Sequence, residues 1–329
     1  MSGFRHAVTA GSEVQAIRTP LRLDPVLRPS FNMRDIHRIV CPLDFSDASY
    51  HAVDHAVAIA EWYGAFITAL HVAAPVSVPR LVPAGVGGEE FAERADLDLL
   101  REDIGALFKP AAGSGVTVSV RLSHGSPATD ILECARTEHA DLLVMGTHGA
   151  GGFEHLVLGS VVEKVLRRAA CPVLTVPPRA RATSALPFKR ILCPVDFSPA
   201  SVDALRFALS LAQEGDASLT LLHTLEWPDE APLPLSGLSL PAYTRDREAE
   251  ALRRLQGLVP DSSRLWCRPI ERITHGKAYR EILGVAAEDN IDLIVMGVQG
   301  RNALDVMLFG STTNQVVRRA TCPVLTVRT

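Results

Sequence analysis

The order of apolar and polar residues divides the chain into short buried runs and helical periods, and the final part of the pattern occurs twice. Residues 141–146 form an apolar run that closes on Gly146 and reads as a buried strand. Beyond a glycine-bearing loop, Val161, Val162, Val165, Leu166 and Ala169 recur at helical spacing, and 171–176 is a second short strand. Residues 292–327 repeat the stretch. Gly297 stands for Gly146, Gly300 for Gly149, Gly310-Ser311 for Gly159-Ser160 and Cys322 for Cys171, each pair 151 positions apart. A constant offset over so long a stretch marks a tandem duplication.

The remaining pattern completes each copy. In the first, 37–43 is a buried strand followed by Asp44-Phe45-Ser46. Ser46 fits the N-cap of a helix over 47–63, whose Val53, Val57 and Ala60 share a face. Strands at 65–72 and 116–122 enclose a Pro/Gly-rich loop and a helix at 89–109, and Pro127 opens a helix over 127–138. In the second copy a strand at 190–195 runs through Ser198-Pro199 into a helix. Strands follow at 218–223 and 265–270, with helices at 243–258 and 277–289. This alternation predicts an α/β chain of two tandem, doubly wound, five-stranded parallel-sheet domains of Rossmann-like type, with right-handed crossovers. The boundaries read as a tail at 1–35, a first domain at 36–178, a Pro-rich linker at 179–188 and a second domain at 189–329.

Composition adjusts the picture at few points. The 329 residues suffice for two cores, and 47% hydrophobic with 21% charged residues is ordinary for a globular protein. A net charge of −4 argues against a general nucleic-acid binder. No run of eighteen apolar residues and no secretory start are visible, so no membrane association and a cytoplasmic location are expected. The six cysteines show no CxxC pairing; Cys41/Cys193 and Cys171/Cys322 are matched and read as buried small hydrophobes.

Ligands of open α/β sheets settle beyond the carboxyl ends of strands, where strand order reverses. That places Asp44 with Gly146 at one crevice and Asp196 with Gly297 at another. Glycines admit an anion close to backbone N–H groups, and a helix start adds unpaired donors and a positive dipole end. Ser160 and Ser311 add a hydroxyl there, while an aspartate accepts hydrogen bonds from ribose or adenine. A plainer role stands beside each: Asp44 satisfying local donors at a helix entry, the glycines making a tight turn. His148, matched by Gln299, suits either a phosphate donor or a solvent-facing loop. His71, His223, His124 and His275 read as satisfied strand-end residues rather than metal ligands. The chain contains no GxxxxGK[ST], GxGxxG, GxSxG or HExxH, so the reading is binding, with no catalytic residue and no metal site assigned.

The pattern Gly-x2-Gly-x9-Gly-Ser, followed by a helix and Cys-Pro-Val-Leu-Thr-Val, resembles the universal stress protein family. Pro42-Leu43-Asp44 and Pro194-Val195-Asp196 match the end of its first strand, and the similarity covers both halves, as in the two-domain tandem members. The resemblance implies strand order 3-2-1-4-5 and the ATP-binding subclass, with or without magnesium. By it, Asp44, the strand-end pair Met145 and Gly146, and the loop residues His148 and Gly149 line the first pocket. Gly159, Ser160 and Val161 close it. Asp196, Met296, Gly297 and Gly300 line the second, with Gly310, Ser311 and Thr312 at its helix start. It also implies a cytoplasmic role in stress tolerance, with little or no hydrolysis. Association through the last strands is implied too, here between 171–176 and 322–327 within one chain, together with a homodimer. A nucleotide-independent scaffold for an unidentified protein partner and a slow ATPase are the competing functions. The copies depart from the family differently: the first has Ala150 where a basic residue is common, with Glu154 and His155 nearby, while the second has the basic Arg301 but Val298-Gln299 inside the turn and Asp305 in the loop. Unequal affinities follow if acidic groups face a triphosphate.

Overall fold

The computed structural model describes residues 36–73, 88–109, 113, 115–148, 158–178, 180, 188–226, 240–298 and 309–328, the side chains of 88–95 and 240–243 apart. The apolar runs become strands and the amphipathic stretches become the helices that cover them. In the first repeat β1 (Arg38–Leu43), β2 (Phe66–Ala73), β3 (Val118–His124), β4 (Leu142–Gly146) and β5 (Val173–Val176) alternate with helices. These are α1 (Asp47–Tyr63), α2 (Gly88–Leu107), α3 (Pro127–Thr137) and α4 (Ser160–Arg168). The second repeat supplies β6 (Arg190–Pro194), α5 (Pro199–Gly215), β7 (Ser218–Leu225), α6 (Leu240–Leu258) and a short α7 (Asp261–Arg264). It ends with β8 (Ile270–His275), α8 (Ala278–Glu288), β9 (Leu293–Gly297), α9 (Ser311–Arg319) and β10 (Val324–Val327).

The strands lie in the order β3-β2-β1-β4-β5-β10-β9-β6-β7-β8, which is 3-2-1-4-5 in each repeat. Pairing is parallel within a repeat, and β5 meets β10 antiparallel, with Leu174 opposite Leu325. Thr175 Oγ1 donates to the Val324 carbonyl and Thr326 Oγ1 to the Val173 carbonyl, both at 3.1 Å, so the two sides of this joint mirror one another.

Because both faces of a parallel sheet are covered, neighbouring strand residues enter different cores. Ile39, Val144, Ile191 and Leu325 join one cluster. Val40, Leu143, Leu192 and Ile294 join the other. The predicted caps form: the Ser46 and Ser198 side chains each accept a backbone N–H three residues on. At the other end, a feature the pattern does not name, Gly64 closes α1 at φ 66°. That left-handed conformation is one glycine adopts without penalty.

One expected strand is displaced. Residues 265–269 do not pair; Asp261–Arg264 form a helical turn, Leu265 is 88% exposed, and the strand begins at Ile270. Pro269 has no N–H for the ladder, so pairing with β7 starts only beyond it, at Thr220 opposite Ile270. β3 likewise runs two residues later than the pattern predicts. Both are edge strands with no fully buried residue, which leaves the hydrophobic signal weak.

Candidate functional site

β1 and β4 are neighbours, with Ile39 beside Leu142 and Val40 beside Leu143, so both chains leave the sheet at one edge. There Asp44 Oδ1 accepts the Ser46 N–H at 3.1 Å and the Ser46 hydroxyl at 2.6 Å. The Ser46 oxygen also accepts the Ser49 N–H and lies 3.2 Å from the His148 carbonyl. One side chain therefore caps α1 and touches the loop after β4.

Between Asp44 and Ser46 the backbone of Phe45 has φ 61°, and Phe197 repeats this at 64°. A bulky residue in the left-handed region costs on the order of 1–3 kcal/mol and persists only where its surroundings hold it. The Phe45 ring packs against His71 with centroids 5.1 Å apart, and His71 Nδ1 lies 2.9 Å from the Leu43 carbonyl. Phe197 and His223 do the same at 4.6 Å, with Nδ1 2.6 Å from the Val195 carbonyl. The strand histidines are thus clamps on the turn that carries the aspartate, and the matched phenylalanines were the signal for this in the sequence.

Gly146 and Gly297 have a packing reason to be glycine besides the one expected. A Cβ on Gly146 would lie 2.7 Å from the Ala48 carbonyl carbon, and one on Gly297 2.7 Å from that of Ala200. The first turn of α1, and of α5 in the second repeat, leaves no room for a side chain. Gly159 and Gly310, at φ −56° and −57°, are in conformations open to any residue.

The Thr147 N–H donates to the Val176 carbonyl and the Gly159 N–H to the Thr147 carbonyl, which sets the start of α4 over the end of β4. The first bond within α4 is Glu163 N–H to Gly159 O, and Gly159 offers no side-chain cap. The N–H groups of Ser160, Val161 and Val162 therefore lie ahead of the helical ladder, donors without a partner inside the helix.

These parts surround one cavity of about 440 Å³. Asp44, Met145, Gly146 and His148 line it, as do Gly159, Ser160 and Val161; Gly149 lies outside the described residues. An apolar wall of Leu70, Val72, Pro127, Ile131 and Leu158 was not anticipated, and aligning the copies would have pointed to Leu70/Leu222 and Ile131/Ile282. Asp44 is the one carboxylate among the described lining residues, and no group of three metal-ligating side chains occurs among the described residues.

In the second repeat Asp196 Oδ1 accepts the Ser198 N–H at 3.0 Å and its hydroxyl at 2.6 Å. Met296 and Gly297 end β9, and the Gly310 N–H donates to the Val298 carbonyl, so Ser311 and Thr312 start α9 at the same edge. Gly300, Arg301 and Asp305 lie outside the described residues, as do Ala150, Glu154 and His155 of the first copy. All six cysteines are buried thiols. Burial pushes the Cys41 thiol up to about 12 and raises Cys193 also, which favours the neutral thiol at both places.

The sequence profile of the universal stress protein family matches residues 35–177 and again 187–328. The chain belongs to the universal stress protein family. A universal stress protein of Mycolicibacterium smegmatis is 29% identical over 305 residues, covering 88% of this chain and 96% of that one. One from Methanocaldococcus jannaschii is 38% identical over 160 residues, 47% of this chain and 88% of its own. The crystal structure of a universal stress protein from Archaeoglobus fulgidus shares the fold with a TM-score of 0.59 at 22% identity, covering 88% of this chain and 98% of that one. In this universal stress protein the described glycines of that pattern, Gly146 and Gly159 in the first repeat and Gly297 and Gly310 in the second, stand at the ends of β4 and β9 and the starts of α4 and α9.

Proposed function

We propose that this universal stress protein is a cytoplasmic stress-response regulator that binds ATP in the first-repeat cavity and at the equivalent edge of the second. The observation that carries the reading is the convergence of three different chemistries on one space. The wall of Leu70, Val72 and Ile131 suits a base, Asp44 accepts from ribose hydroxyls, and the helix-start donors of Ser160–Val162 suit phosphates. Magnesium would arrive on the phosphates, since the described lining provides a single carboxylate. The reading is of binding that sets the shape offered to a protein partner, rather than of turnover.

The two sites differ. Thr312 and Thr313 replace Val161 and Val162, Phe309 replaces Leu158, and the Thr313 hydroxyl donates to the Gly297 carbonyl at 3.0 Å. Unequal affinities are therefore expected. A second reading, a nucleotide-independent scaffold, is favoured by the packing of Gly146 and Gly297 on the helix backbone, which accounts for those glycines without a ligand.

Calorimetric titration of the intact chain with ATP separates the two. Ser160→Asp sets a carboxylate at a helix start, where the fold tolerates it and a phosphate does not. The nucleotide reading expects saturable binding and at least a tenfold loss (about 1.4 kcal/mol) at one site in that variant. Absence of any ATP binding by the unaltered chain would leave the scaffold reading standing.

A further inference from the structure

α3 and α4 lie side by side over the same face of the sheet, and between them runs a groove of about 710 Å³, distinct from the cavity at the strand ends. The duplication supplies its own control, because an offset of 151 aligns α3 with α8 and α4 with α9. Tyr279 stands where the first repeat has Ala128, and Arg280 where it has Thr129. In the second repeat the Arg319 guanidinium lies 5.3 Å from the Tyr279 ring centroid, and Arg280 Nε donates to the Tyr279 hydroxyl at 3.1 Å. The Arg319 contact bridges α8 and α9, and Arg280 holds the ring's hydroxyl from within α8. In the first repeat Arg168 matches Arg319 but has no ring to cover, and Ala128 and Thr129 leave the space open.

The charge left over in this groove is positive, on a chain whose net charge is −4. Glu133 is engaged by Arg136 in two hydrogen bonds of 2.6 and 2.9 Å. Asp141 accepts the N–H groups of His37 and Arg38 at 2.9 and 3.0 Å. Lys164 and Arg168 are exposed on the opposite wall, and neither makes an ion pair or side-chain hydrogen bond among the described residues. Leu132, Ala135 and Ala140 give the floor small apolar surfaces. The 11 residues of α3 span about 16 Å, room for some three turns of a second helix.

We propose that this groove is a docking site, present in the first repeat only, for an acidic amphipathic helical segment of a partner protein. Its apolar side meets the floor between α3 and α4, and its carboxylates meet Lys164 and Arg168. Nucleic acid fits less well, because two uncommitted cations are few for a phosphate backbone and the described lining holds no Phe, Tyr or Trp, its one ring being that of His139.

The test is a random-peptide display selection on the full chain, followed by fluorescence anisotropy of the enriched peptides. Ala128→Tyr with Thr129→Arg transplants the closure of the second repeat, and Lys164→Glu with Arg168→Glu reverses the charge. Enriched peptides are expected to carry Asp and Glu with apolar residues at helical spacing, and to bind at least tenfold more weakly to either variant. Should the first variant fail to fold, the second, at exposed positions, still decides. Selection that returns no acidic peptides sensitive to the charge reversal overturns the proposal, as does an oligouridine RNA that competes as tightly as the peptides.

Discussion

Gly146 and Gly105 show that a glycine's meaning is set by what stands where its side chain would be. The sequence spells Gly146 within a motif, yet the contact that demands it, with the Ala48 backbone, belongs to the folded chain. Gly105 lies inside α2 with nothing within 4 Å of a prospective Cβ. Alanine at Gly146 is expected to destabilise by roughly 1–3 kcal/mol, since the obstructing atoms are backbone and cannot rotate away. Alanine at Gly105 is expected to stabilise by about 0.5–1 kcal/mol, the helix-propensity difference. Urea unfolding midpoints at a constant m-value read both. A neutral Gly146→Ala would mean that the start of α1 can retreat, and the close-approach account would fail. Phe45 was passed over in the sequence for a related reason: hydrophobic pattern carries no sign of φ.

α1 was the most legible element, because an N-cap serine and an apolar face point to the same bounds. β8 was the least, being an edge strand whose weak alternation sits beside Pro269, and the glycine loops at 149–157 and 299–308 lie outside the described residues. What the pattern of α1 did not foretell is the consequence of its one buried imidazole. His55 is 1% exposed, and its Nδ1 lies 2.8 Å from the His51 carbonyl. Burial lowers its pKa below 6.5, against the smaller raising effects of that carbonyl and of Asp54. The unfolded chain takes up a proton near 6.5 while the folded chain resists, so neutral His55 supports the fold fully above that value and progressively less below it. Phe207 occupies the equivalent place on α5. His55→Phe is therefore expected to flatten the fall in unfolding midpoint between about pH 7.5 and about pH 5.5. An unchanged slope would show that the acid sensitivity originates elsewhere.

Across the whole molecule, the joint between the repeats decides whether the chain unfolds once or twice. Periodicity marked 171–176 and 322–327 as strands but held no sign of whether they pair within one chain or between two, since either arrangement buries the same edge. In the structure the ladder runs through Leu174 and Leu325, and the Tyr63 hydroxyl reaches Glu214 Oε2 across the joint at 2.5 Å. Leu325 is 4% exposed and belongs to the core that both repeats share. Leu325→Asp removes that packing and strands a carboxylate among apolar side chains, a loss of several kcal/mol confined to the joint. Thr326→Val removes only the hydrogen bond to Val173 and keeps the surface apolar, at a cost of about 1 kcal/mol. Calorimetry of the unaltered chain and of Thr326→Val is expected to show one cooperative transition. For Leu325→Asp two separated transitions are expected, together with self-association through the uncovered β5 edge. A single transition at the original temperature in Leu325→Asp would mean that the repeats are coupled by something other than this ladder.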